Sequence, residues 1–194
     1  MTSMAAPLQA LRSRIRRLAI GPRLAAVKLL VCDVDGVLTD GGLYYEASGG
    51  VTKRFNVRDG LAIRMLQRAG IEVALLSGGR RGAIEHRARH LQICHCRAEV
   101  GDKLLGLREL QAELDRGREA TAFIGDDLND LAVRPATALL VAPADAARGL
   151  RQRADWVLRS HGGHGAVREL AEALLESRGA LAALHRDGWR EGNA

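Results

Sequence analysis

A chain of 194 residues with 47% hydrophobic content can bury one good core and is too short for two ordinary domains with linkers. Its formal charge of +6 is concentrated at one end, because the first 32 residues hold Arg12, Arg14, Arg16, Arg17, Arg23 and Lys28 and no acid, which leaves the remainder balanced. A neutral body with 3% aromatic residues lacks the basic stripe and stacking platforms of a nucleic-acid binder, and no apolar run is long enough for a membrane span or a signal core.

Residues 1–26 read as a basic leader in which Leu8, Leu11, Ile15 and Leu18 share a helix face, with Gly21-Pro22 expected to end the helix. Such Arg-rich, acid-free segments serve as membrane-surface feet or organelle transit peptides; the favoured reading is a loosely docked leader helix. Val27, Leu29, Leu30 and Val31 then form an apolar run suited to a strand covered on both faces, and it ends in Asp33 and Asp35. Side chains alternate along a strand, so the two carboxylates point the same way, and Gly36 lets the chain turn off the sheet. Acids crowded at a buried strand end repel; they are tolerable with a cation beside them or with one proton retained.

Two short β-prone runs around Ser48-Gly49-Gly50 signal a hairpin between Asp40 and Phe55. From Asp59 the period becomes helical, with Leu61, Ile63, Met65, Leu66 and Ala69 on one face and Gly70 as the stop. A strand at 71–76, a helix at 80–91, a short strand at Ile93, a helix at 102–116, a strand at 120–124 and a helix at 128–134 follow. A strand at 138–141, a short helix after Pro143, a strand near Trp156 and a helix at 165–177 complete the alternation. This pattern predicts an α/β domain over 27–178, doubly wound around a mainly parallel sheet with helices on both faces, and a C-terminal tail at 179–194. Ligands of such folds sit beyond the carboxyl ends of the strands, where Asp33 and Asp35 lie. Cys32, Cys94 and Cys96 are odd in number and lack the ligand spacing of a zinc site, so they read as reduced thiols of a cytoplasmic protein.

Further polar groups fall just past the other strand ends. Ser77 opens Ser77-Gly78-Gly79, where a hydroxyl and exposed N–H groups could cradle phosphate oxygens; taken alone, an ordinary strand-to-helix turn is the simpler reading. Lys103 stands at a helix start, where a cation opposes the dipole and hints at an anion nearby. Asp126, Asp127 and Asp130, in Phe123-Ile124-Gly125-Asp126-Asp127-Leu128-Asn129-Asp130, form a second acidic cluster at a second buried strand end. Two such clusters on a neutral domain imply a hard divalent cation, and oxygen ligands with open water positions suit Mg²⁺.

Asp33-Val34-Asp35-Gly36-Val37-Leu38-Thr39 resembles the DxDGxLT nucleophile loop of the haloacid dehalogenase superfamily, and Ser77, Lys103 and Asp126 with Asp130 resemble its three other motifs in order. The resemblance implies that Asp33 attacks phosphorus and that Asp35 serves as general acid and base, with Ser77 and Lys103 on the phosphoryl oxygens. It also implies Mg²⁺ on Asp33, the Asp35 carbonyl and Asp126. Over residues 27–178 the chain is similar to one capless subfamily, the phosphatases of 3-deoxy-D-manno-octulosonate (KDO) 8-phosphate in lipopolysaccharide biosynthesis. The similarity rests on Phe55 to Gly60, Gly125 to Asp130, Ala142 to Ala146 and Gly162 to Glu169. That subfamily joins its hairpins into a β-barrel in a homotetramer with shared active sites, so Leu43, Tyr45 and Val51 are expected to meet neighbouring subunits. By position, Asn56, Val57, Arg58, Asp59, Gly60, Arg64, Arg87 and Asn129 would help hold the substrate. Arg58, Arg64, Arg87 and Arg80 beside Lys103 would exceed the charge one phosphate needs, which implies a sugar acid carboxylate as a second anion. Three departures touch the substrate rather than the reaction: Ser77-Gly78-Gly79 stands where the subfamily reads Thr-Gly-Arg, with Arg80 one place later; Gly49-Gly50 replaces Gly-Glu; and His164 replaces Arg. A phosphatase for a nine-carbon acid 9-phosphate (neuraminate or KDN) and a catalytically idle module used for assembly are the alternatives. A receiver domain is disfavoured because the strand ends after Val73 and Ile93 offer no acceptor Asp.

Overall fold

In the computed structural model, residues 19–189 are described. The first strand, β1 (Leu29–Cys32), is buried along its whole length, as its uninterrupted apolar run requires. Parallel to it run β4 (Glu72–Leu76), β5 (His95–Arg97), β6 (Thr121–Ile124), β7 (Leu139–Ala142) and β8 (Trp156–Val157), in the order β5-β4-β1-β6-β7-β8. A separate antiparallel hairpin joins β2 (Tyr44–Tyr45) to β3 (Val51–Thr52).

Helices cover both faces of the sheet. On one, Leu30 and Cys32 of β1 pack with α2 (Val57–Arg68), α3 (Ala83–His90) and α6 (Ala166–Glu176) through Ile63, Leu66, Ile84, Leu170 and Leu174. On the other, Leu29 and Val31 pack with Leu107 and Leu110 of α4 (Lys103–Glu113), Val133 of a 3₁₀ helix (Leu128–Ala136) and Leu150 of α5 (Arg148–Arg153). Alternate residues of one strand thus enter two different cores, the physical meaning of a doubly wound sheet. From β1 the chain winds outward through β4 and β5, then returns to β6 beside β1 and winds the other way. The strand order reverses between β1 and β6, and a crevice opens beyond their carboxyl ends.

Four local expectations change. Gly21-Pro22, expected to end the leader helix, stands in the first turn of a further helix, α1 (Gly21–Ala26), since proline there forfeits only an N–H that has no intrahelical partner. Ile20 and Leu24 are buried in the main core, and Arg23 donates to the Ala138 carbonyl at 2.9 Å and to Asp155 at 3.0 Å, so packing extends upstream of Val27. The leader face built on Leu8, Leu11, Ile15 and Leu18 lies outside the described residues. The strand expected at Ile93 begins two residues later, because Ile93 is spent as a core side chain whose N–H still bonds back to Ala88 of α3. Residues 128–134, expected as an α-helix, wind as a tighter 3₁₀ helix that runs on through Pro135. After α6, α7 (Leu181–Asp187) lays Leu181 and Leu184 against the core.

Candidate active site

The crevice between β1 and β6 receives one carboxylate from each strand end. Asp33, 5% exposed, accepts the Val34 N–H at 2.7 Å through Oδ1, and its Oδ2 lies 2.9 Å from Lys103 Nζ. Lys103 is the first residue of α4, whose orphan N–H groups at Leu104 and Leu105 are taken by the Asp102 side chain. The lysine is therefore free to reach inward, where its second partner is Asp130 Oδ1 at 2.6 Å. Asp130 is fully buried, and its other oxygen accepts the N–H groups of Asp126 and Asp127 at 2.9 and 3.2 Å. One carboxylate thus fixes both the lysine and the loop after β6. Burial alone would push Lys103 toward neutrality, but Asp33 and Asp130 more than offset this and its pKa is raised, so the ammonium stays charged.

Asp126 stands apart, with no ion pair among the described residues. It presses against the nucleophile loop so closely that a Cβ on Gly36 would lie 2.1 Å from its Oδ2. Burial first, then the charges of Asp33, Asp130 and Asp127, push its pKa up to about 7. Burial and Asp130 likewise raise Asp33 to about 6 despite Lys103. Ligand oxygens of Asp33, Asp126 and Asp130 lie within 4.8 Å of one another, an excess of buried negative charge that a divalent cation would relieve. Asp126, with no ion pair among the described residues, is the least engaged of the three; it and Asp33 would hold Mg²⁺, as the resemblance implied. The Asp35 carboxylate is not part of this cluster, and Lys53 Nζ donates to both its oxygens at 2.7 Å.

This charge excess sets a pH dependence. Between the ordinary carboxylate range, near 3.8, and about 6 to 7, the folded metal-free protein holds protons on Asp33 and Asp126 that the unfolded chain has released. Its stability must therefore fall as pH rises through that window. In chelator the melting temperature should be higher at pH 5.5 than at pH 7.5, and added Mg²⁺ should raise it at pH 7.5 and have little effect at pH 5.5. Calorimetric scans at both pH values check this.

Ser77 is 1% exposed at the end of β4, and its Oγ accepts the Gly79 N–H at 3.0 Å, the strand-to-helix turn expected of it. The Gly162–Gly165 loop closes another side. Its Gly163 N–H donates to the Val37 carbonyl at 2.9 Å, and a Cβ on Gly162 would fall 1.8 Å from the Gly36 carbonyl oxygen, so only glycine lets the two loops meet.

Several residues expected to bind substrate have other duties. Asp59 is 1% exposed and accepts the N–H groups of Gly165 and Arg168 at 3.2 and 2.8 Å, which caps α6 from another helix; burial raises its pKa against those bonds. Arg64 bonds Gln67 and Gln92 at the far end of α2. Arg87 donates to the Asn56 carbonyl at 3.1 Å, stacks 5.6 Å from the Phe55 ring and lies over buried Gly60. Asn56 itself caps α2 by accepting the Arg58 N–H at 2.8 Å, and ties down the Gly163 carbonyl. Arg64 and Arg87 are thus also engaged with the scaffold. Val57, Arg58, Arg80 and Asn129 are exposed, and the latter three hold no side-chain partner among the described residues. Lys53 received no role from the sequence, because its partner lies 18 residues away across a hairpin of unforeseeable orientation.

Paired acids, a buried lysine and a metal-ready carboxylate at the switch point of a doubly wound sheet define a phosphoryl-transfer site of the aspartate type. A family model described as haloacid dehalogenase-like hydrolase matches residues 92–170. The 3-deoxy-D-manno-octulosonate 8-phosphate phosphatase of Yersinia pestis is 45% identical over 79% of this chain and 82% of its own length. Its crystal structure superposes with a TM-score of 0.82, over 84% of this chain and 88% of that one, at 43% identity. The Moraxella catarrhalis phosphatase of the same name, solved with magnesium, phosphate and KDO, gives a TM-score of 0.83 at 32% identity, over 87% of this chain and 98% of that one. The chain belongs to the 3-deoxy-D-manno-octulosonate 8-phosphate phosphatase family of haloacid dehalogenase-like hydrolases.

Proposed function

We propose that the protein is a Mg²⁺-dependent phosphomonoesterase that hydrolyses KDO 8-phosphate to KDO and phosphate. The observation that carries the reading is the buried Lys103 bridging Asp33 and Asp130, beside an unpaired Asp126. Asp33 attacks phosphorus as the bond to the sugar oxygen breaks, and Asp35 gives that oxygen a proton. The aspartyl phosphate is then cleaved by water whose proton returns to Asp35, which restores Asp33. Lys103 and the Ser77 turn orient the phosphoryl oxygens, while Asp130 keeps Lys103 in register. Asp33 and Asp126 would hold Mg²⁺, which would supply charge to offset the repulsion between carboxylate and phosphate.

The relatives' common substrate and exposed Arg58 near the N-terminus of α2 support a sugar acid, whose carboxylate a guanidinium can take through two parallel hydrogen bonds. Purified protein should release phosphate from KDO 8-phosphate with higher kcat/KM than from glucose 6-phosphate, and nine-carbon acid phosphates should rank between them. Arg58→Ala should raise KM for KDO 8-phosphate roughly tenfold or more, as loss of a charge-assisted hydrogen bond does, and leave a small aryl phosphate unaffected. Equal effects on both substrates would remove Arg58 from the specificity argument.

The hairpin supports a further part of the reading. Leu43, Tyr44 and Tyr45 are 44, 59 and 73% exposed on a two-stranded sheet too small to be stable alone. We infer that hairpins of four copies pack together and complete one another's sites, as the resemblance implied. Sedimentation should give a tetramer, and Tyr45→Glu should dissociate it with loss of activity. We infer that the reaction runs in the cytoplasm as a step toward lipopolysaccharide, a reading that the three free cysteines support.

A further inference from the structure

Lys53 follows β3 directly and buries its side chain to 4% exposure, although the two strands of the hairpin beside it are largely exposed. A buried ammonium needs acceptors, and the structure gives it one carboxylate, Asp35, engaged at both oxygens at 2.7 Å. The other buried lysine, Lys103, serves Asp33 and Asp130, so each acid of the nucleophile loop has its own cation. Held at one oxygen, Asp35 could still swing its carboxylate; held at both, it cannot. The foot of the hairpin is itself clamped to the loop after Asp35 by a backbone bridge between Thr39 and Phe55 and by Arg54 on Asp40. The space for the pair comes from Gly79, where a Cβ would stand 2.6 Å from Asp35 Oδ2 and 2.9 Å from Lys53 Nζ.

We propose that Lys53 is a positioning residue for Asp35, carried to it by the hairpin, and that Gly79 is the position that makes room for the pair. This rests on the phosphatase reading above, in which Asp35 protonates the departing sugar oxygen. The consequence is specific to one half of the reaction. A sugar alkoxide leaves only if the acid is aimed at it, whereas p-nitrophenolate leaves as a stable anion without a proton.

The test compares the full-length wild type with Lys53→Met and Gly79→Ala, on KDO 8-phosphate at steady state and on p-nitrophenyl phosphate in the first turnover. Lys53→Met should lower kcat on the sugar phosphate by about 10²-fold, the usual cost of an acid moved by around 1 Å, with KM changed less than about threefold. The first burst of p-nitrophenol should keep its rate within about threefold. Gly79→Ala, which leaves both charged groups in place, should show the same split at smaller size, and Lys53→Arg should recover part of the loss. Equal falls on both substrates would make Lys53 merely structural; a change in KM alone would make it a substrate ligand; no change would leave it idle. Each of these overturns the proposal. If Lys53→Met fails to fold, Gly79→Ala decides by the same criterion. A wild type that releases phosphate from neither substrate would refute the phosphatase reading instead.

Discussion

Asp33→Asn should abolish phosphate release by at least about 10⁴-fold, the scale on which loss of a nucleophile is felt. The same variant should be no less stable than the wild type in chelator. Asp33 is a carboxylate whose protonated form is favoured by its burial and by Asp130, as its raised pKa of about 6 records. An amide has the shape of that protonated form, so the substitution removes repulsion at pH 7.5 and forfeits only the Lys103 contact. The variant should also lose most of the stabilisation by Mg²⁺, because a ligand has gone. Phosphate release and calorimetry with and without Mg²⁺ provide the check, and residual turnover above about 1% of wild type would exclude Asp33 as the nucleophile.

Lys103→Met should inactivate the protein and also weaken it, by about 3–5 kcal/mol at pH 7.5. The side chain is 3% exposed and holds two carboxylates, one of them wholly buried. Methionine fills the volume and leaves both acids without their cation, the costly way to break a buried pair. The stranded acids would take up protons more readily than in the wild type, so part of the loss should return at pH 5.5. Urea unfolding at the two pH values measures this, and a loss that does not shrink on acidification would show that packing, rather than charge, is at fault. The contrast with Asp33→Asn is informative: one removes a charge from an acidic surplus, the other deepens it.

What the sequence disclosed follows from how strongly each feature is forced locally. Asp33 and Asp126 were legible because carboxylates at the ends of Leu29–Cys32 and Thr121–Ile124 interrupt runs that can only be buried strands. The doubly wound sheet followed from the alternation itself. The helix that Gly21-Pro22 opens was not legible because proline is equally at home after a helix and in its first turn, and the burial of Leu24 is what anchors it. The scaffold contacts of Arg64 and Arg87 were not legible because a guanidinium five bonds from its backbone reaches several partners, and only the packing of α2 against its neighbours selects Gln92 and the Asn56 carbonyl. The role of Asp59 was equally hidden, since nothing in the sequence says that an acid in the first turn of one helix accepts the N–H groups of another. Lys53 was beyond reach because hairpin length says nothing about the direction in which the hairpin leans.

The Gly162–Gly165 loop also bears on how the enzyme comes into being. Asn56 and Gly163 meet across 107 residues of chain, and Asp59 and Arg168 across 109, so the nucleophile loop gains this wall only after nearly the whole polypeptide exists. On a ribosome, where the N-terminal part emerges first, Asp33 is synthesised early and its loop waits for this wall until α6 leaves the exit tunnel. A chain cut short before Gly162 would carry all four motifs and still have no finished site. Loop closures over such distances are slow relative to local helix formation, so catalytic competence should be among the last properties a new copy acquires.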